Sequence, residues 1–122
     1  MTDMVNHPPH YTSHPSGIEC IDITRRCGFS MGNAVKYIWR AWDKGALNTD
    51  LDKARFYLRD NIAHGSAAHP PYNAGKLLLE AASYDANPDR SQLLYLIAHG
   101  QLDNVIRRID VLIGEVRASE HD

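Results

Sequence analysis

The 122-residue chain contains no run approaching the eighteen or so apolar residues that a membrane-spanning helix needs. Its opening residues, Met-Thr-Asp-Met-Val-Asn, lack the basic and apolar regions of a secretion signal, so the expected location is the cytoplasm and no membrane partner is expected. Only two cysteines occur, Cys20 and Cys27. On one predicted helix they stand roughly 10 Å apart at about 1.5 Å rise per residue, beyond disulfide reach, and read as free thiols. No Gly-x-x-x-x-Gly-Lys-Ser/Thr segment is present, which excludes a P-loop phosphate cradle. Nor does any stretch alternate with period two for long enough to predict a sheet. What remains is an all-α chain, a small helical bundle of one domain over 1–122, with 43% hydrophobic residues to fill a modest core.

A large excess of either charge is also missing: the formal net charge is −2, which argues against an extended nucleic-acid-binding surface. The distribution is uneven, however. Residues 25–59 hold Arg25, Arg26, Lys36, Arg40, Lys44, Lys53, Arg55 and Arg59 against Asp43, Asp50 and Asp52, a local balance of +5 that leaves −7 for the rest. A basic centre in an acidic molecule suits a compact anion better than a long polyanion, or is simply a solvated face.

Pro8, Pro9 and Pro15 make residues 1–15 an extended arm. Ser16-Gly17-Ile18-Glu19 reads as a capping box opening a helix over about 17–27 that stops at Gly28. Ser30 can cap a second helix over about 31–44, with Met31, Val35, Ile38 and Trp42 on one side and Asn33, Lys36, Tyr37, Arg40 and Lys44 on the other. Thr49 or Asp50 caps a third over about 50–64, with Leu51, Ala54, Leu58 and Ile62 inward and Gly65 as its stop. His69-Pro70-Pro71-Tyr72 echoes the amino-terminal arm, but the flanks do not match and the stretch 65–72 reads as a linker. Further helices are expected over about 74–84, from an Asp89 cap to His99, and over about 101–117. The last carries a stripe of Leu102, Val105, Ile106, Ile109, Leu112, Ile113 and Val116 that must meet a helix of this chain or of a second copy, so a homo-oligomer is expected.

Chemistry-bearing residues concentrate in the first half. In Asn6-His7-Pro8-Pro9-His10-Tyr11 two prolines stiffen the backbone, so presenting His7 and His10 costs little ordering entropy. The pair suits phosphate or base contact, a transition metal, or plain packing; no adjacent Cys or carboxylate supplies a third metal ligand. Lys36, Arg40 and Lys44 recur every fourth residue and repel one another unless an anion intervenes, either a phosphate chain or Glu19, Asp22, Asp43 or Asp52. Tyr37 on the same arc could stack on a base and Asn33 could read its edge, while Trp39 and Trp42 serve the core or a base platform. Glu19 and Asp22, three apart, could hold magnesium through water or cap their helix.

Four blocks, Asn6–Tyr11, Gly17–Asp22, Gly32–Ala41 and Asp50–Leu58, resemble a small tailed-phage family of formerly unknown function. One branch of that family is a nucleotide kinase that phosphorylates deoxynucleoside monophosphates without a P-loop. The resemblance covers about residues 5–62 as a nucleotide-handling core, leaving 66–122 as a helical extension for packing or oligomerisation. It implies a nucleotide partner, ATP and Mg2+ as cofactors, and the cytoplasm of an infected host. His7, His10, Tyr11, Glu19, Asn33, Lys36, Arg40 and Lys53 are the site residues it implicates, and Lys44 and Tyr37 join them from helical geometry. The roles expected are catalysis for His7, His10, Lys36 and Arg40, substrate binding for Tyr11, Asn33, Tyr37, Lys44 and Lys53, and metal binding for Glu19 and Asp22. Phosphoryl transfer to a nucleoside monophosphate is the leading expectation. Hydrolysis of a nucleotide, sequestration of a nucleotide or cyclic nucleotide without chemistry, and a structural or host-protein-binding role are the alternatives.

Overall fold

A computed structural model describes residues 14–43 and 45–121, with side chains to residue 118. The expectations placed on His7, His10, Tyr11, the extended arm to residue 13, and Lys44 lie outside the described residues. Six helices are present among those described: α1 (Cys20–Thr24), α2 (Phe29–Arg40), α3 (Leu47–Ala63), α4 (Tyr72–Tyr84), α5 (Pro88–Ala98) and α6 (Leu102–His121). The protein is an all-α bundle, as the periodicity predicts. None of the described helices is long and apolar enough to cross a membrane.

Two helical hairpins form the frame. In the first, α2 and α3 pack together, and in the second α4 and α5 do; α6 lies against α3 and α5, and α1 against α2 and α4. The inward lines are those that helical spacing selects: Met31, Val35 and Ile38 of α2, Leu51, Ala54 and Leu58 of α3, and Leu102, Val105, Ile109, Leu112 and Ile113 of α6 are all buried. Each large aliphatic among them contributes roughly 1.5–3 kcal/mol relative to exposure. They belong to one core that runs from Ile18 to Ile113 and joins the amino-terminal and carboxy-terminal halves. The α6 stripe is therefore covered within the chain by α3 and α5, and is not a bare face for a second copy.

Helix boundaries depart from expectation where turn chemistry outweighs a capping pattern. Gly17 adopts φ +78°, a left-handed turn, so α1 starts only after Glu19, and Asp22 rather than Glu19 closes its box by accepting from the Glu19 N–H. Gly28 is the α2 N-cap, while Ser30 lies inside the helix and donates to Asp60 of α3. Helix α3 begins at Leu47, ahead of Thr49 and Asp50, and Asp50 turns its carboxylate to Arg40 instead of to the helix end. Asn87, not Asp89, caps α5 by accepting from the Asp89 and Arg90 N–H groups, with Pro88 in the first helical position. Ile62 is 45% exposed because the inward line of α3 passes from Leu58 to Asn61, which is buried and donates to the Ala67 carbonyl.

Gly65 and Gly100 end α3 and α5 with positive φ: Gly65 is the expected stop, and Gly100, which could have broken or merely bent its segment, breaks it. Gly32 has a different task. A Cβ there would lie 3.2 Å from the Thr24 carbonyl oxygen, so a side chain at that position would press the turn after α1 away from α2 by a few tenths of an ångström.

Candidate functional site

The outer face of the α2–α3 hairpin gathers aromatic rings and cations. The Tyr37 and Tyr57 rings stack with 6.0 Å between centroids and 6° between planes. Phe29 meets the Tyr57 edge at 5.9 Å, and Phe56 meets it from its own helix at 5.2 Å. The Lys36 ammonium is 4.5 Å from the Tyr37 centroid and that of Lys53 is 5.3 Å away, so two helices deliver their positive charges to one ring. Phe29 and Phe56 are 77% and 63% exposed, an unusual outlay of apolar surface for side chains with no core role.

Beside this wall lies a cleft of about 240 Å³, lined by Thr24, Cys27, Gly28, Gly32 and Asn33 together with Phe29 and Lys36. Asn33 donates its amide to the Phe29 carbonyl at 2.8 Å, which fixes the side chain along the helix. Burial pushes the Cys27 thiol up to about 11, which keeps it in the thiol form near neutral pH. Burial likewise pushes the Cys20 thiol to about 12.

Of the sequence-predicted residues, Lys36, Tyr37 and Lys53 come together, with Asn33 on the same cleft as Lys36. Arg40 sits farther along α2 with its Nε 3.6 Å from the Asp50 carboxylate, an acid outside the set of expected partners. Asp50 is only 3% exposed, so this charge pair is largely removed from water. Asp22 is committed to the cap of α1 and to Arg25 at 3.9 Å, and Glu19 is the N-cap residue itself. No group of three His, Cys, Asp or Glu side chains able to hold a metal occurs among the described residues.

Sequence reasoning missed Phe29, Phe56 and Tyr57. Phe29 was recoverable, for it precedes Asn33 by four residues and so extends the polar arc of α2 once the helix is started at the right place. Phe56 and Tyr57 follow Lys53 by three and four, the spacing that sets side chains on one side of a helix.

A second polar assembly also escaped notice. The His14 side chain is 2% exposed, its ring packed on Trp39 at 4.6 Å. The Ser16 N–H donates to its Nδ1, leaving Nε2 to donate to Asp85 at 3.2 Å. Arg90 grips the same carboxylate at 2.6 and 3.1 Å and donates to the Trp39 carbonyl at 2.9 Å. Burial alone would raise the Asp85 carboxyl, but Arg90, the Asn87 N–H and His14 outweigh it and hold the group below its usual range.

The profile of a protein family of unknown function, DUF3310, matches residues 5–59, a little under half of the chain. That segment ends within α3 and contains the Lys36, Tyr37 and Lys53 cluster. No curated protein and no solved structure matches the chain.

Proposed function

We propose that this chain is a phage nucleotide-handling protein that transfers a phosphoryl group from ATP to a (deoxy)nucleoside monophosphate without a P-loop. The observation that carries the reading is the convergence of Lys36 and Lys53 on Tyr37, which stands in a run of aromatic rings beside an open cleft. Exposed rings offer a face to a base and ammonium groups offer point charges to a phosphate chain. Two lysines directed at one ring bring like charges to one part of the surface, and a polyphosphate offsets them. Lys36 and Lys53 hold the donor phosphates, Asn33 orients the ligand, and Arg40 lends its charge from the next turn of α2, tied in place by Asp50. His7, His10 and Tyr11 take the roles that the family resemblance suggests for them, and Lys44 the substrate-binding role that helical geometry suggests. In the transfer, a monophosphate oxygen forms the new bond to the γ-phosphorus as the bond to the β–γ bridging oxygen breaks. The electron pair leaves with the nucleoside diphosphate. Magnesium would accompany the nucleotide and neutralise part of its phosphate charge, with Glu19 and Asp22, engaged in the cap of α1, as the nearby carboxylates the sequence offers.

A second reading, sequestration of a nucleotide without turnover, draws support from the same engagement of Asp22 and from the shortage of carboxylates around the cleft. Incubation with labelled ATP, magnesium and each deoxynucleoside monophosphate separates the two. Labelled diphosphate is the result expected of a kinase, and retention of unchanged nucleotide is the result expected of a sequestering protein. If neither product nor retention is seen, both readings fall.

A further inference from the structure

We infer that the protein has a second ligand cleft, on the other side of Phe29, which takes the nucleoside portion of the phosphate acceptor. The inference rests on the nucleotide reading above and adds to it where the second substrate goes. The lysine cleft, at about 240 Å³, is smaller than the roughly 300–1,000 Å³ of sites that enclose a small molecule, and it can hold only part of one nucleotide. A larger hollow of about 380 Å³ lies between the first turn of α2, the end of α3 and the loop at 65–71.

Three features of this hollow argue for a built site. Its walls are already fixed: buried Asn61 donates to the Ala67 carbonyl at 3.2 Å, the Ser66 N–H returns to the Asn61 carbonyl at 3.1 Å, and Ser30 is bonded to Asp60. The His69 imidazole, on the same wall, packs so closely on Gly100 that a Cβ there would come within 2.7 Å of the ring. A ligand would meet a preorganised surface and would not have to order a loose loop.

The lining is also chemically unlike that of the lysine cleft. Among the described residues it includes no Lys, Arg, Asp or Glu, and offers Phe29, Met31 and Pro71 with the hydrogen-bonding groups of Ser66 and His69. Such a lining suits an uncharged planar heterocycle and its sugar, and gives a phosphate no counter-charge. Finally, Gly28 and Phe29 line both clefts. Two ligands so placed meet at the first turn of α2, the acceptor's phosphate reaching toward the lysines while its base stays behind Phe29. Bringing two reactants together in this way is most of what phosphoryl transfer asks of a protein.

The test uses calorimetric titration of the full chain with a non-hydrolysable ATP analogue and with each deoxynucleoside monophosphate, alone and together. Wild-type protein should bind both at once. Ala67→Trp, a substitution at an exposed position that fills the hollow, should weaken the monophosphate at least tenfold and leave the ATP analogue within twofold. His69→Ala should move the monophosphate in the same direction by less, with an unchanged urea midpoint for both variants. Equal weakening of both ligands by Ala67→Trp, or of neither, overturns the second cleft while leaving the nucleotide reading in place. Failure of wild-type protein to bind either ligand overturns both.

Discussion

Two regions of this molecule use the same kinds of side chain to opposite ends. Around Asp85, an imidazole, a carboxylate and a guanidinium are buried and bonded to one another, and an indole packs on the imidazole. On the α2–α3 face, Phe29, Lys53 and Phe56 stand in solvent while Lys36, Tyr37 and Tyr57 are half-buried, the two tyrosines leaning on the core, and the ammonium groups and rings meet one another at the surface. Saturated polar groups in a core specify which helices meet: His14 before α1, Trp39 at the end of α2, and the junction of α4 with α5 are sewn at one point. Unsaturated ones at a surface keep their interaction energy for something that arrives later. Sequence composition cannot tell the two apart, whereas burial and partners can.

The largest effect that would test this contrast is Asp85→Asn. Removing one member of a buried charge pair should cost about 3–5 kcal/mol, read as a lower urea midpoint. Nucleotide affinity per folded molecule should be unchanged. A loss below about 1 kcal/mol would mean that the assembly is not the structural clasp described. Next in size, Lys36→Ala and Lys53→Ala should each weaken nucleotide binding by on the order of tenfold or more, given about 1.5–3 kcal/mol for a charge-assisted hydrogen bond. Their stability should shift by less than about 1 kcal/mol, the worth of an exposed cation–ring contact. The opposite pattern, lost stability with retained binding, would reverse the roles of the two regions. Phe29→Ala comes third, with about 1–3 kcal/mol of lost base stacking and an almost unchanged melting curve. Smallest at ordinary pH is the acid response. The folded Asp85 carboxyl titrates below its ordinary 3.8, so its contribution is fully present above that value and is lost only as pH falls through the lower, folded one. From this group the urea midpoint should therefore be flat from pH 7 to about 5 and drop below about 4, and the part of the drop due to Asp85 should vanish in Asp85→Asn.

The helices were legible because their signals are local. Leu51, Ala54 and Leu58, or Leu102, Val105 and Ile109, repeat at helical spacing, and Gly65 and Gly100 stop the chain where the spacing ends. Caps were less legible, since Ser30 and Asp50 have good capping side chains that tertiary partners claim instead. The His14 assembly could not be read at all, because its acid lies 71 residues away and its role exists only after α2, α4 and α5 have met. The candidate face falls between these cases. Lys36 and Tyr37 were readable on one arc of α2, and Lys53 only through the family resemblance, but that Arg40 also meets Asp50 depends on where α3 begins.

One lining residue shapes the lysine cleft without contributing a side chain to it. A Cβ on Gly32 would stand 3.2 Å from the Thr24 carbonyl oxygen, and Thr24, Gly32 and Lys36 all line that opening. A lone hydrogen thus spares the backbone there a shift of a few tenths of an ångström, and the outline of the cleft is exposed to the exchange of one small residue for another.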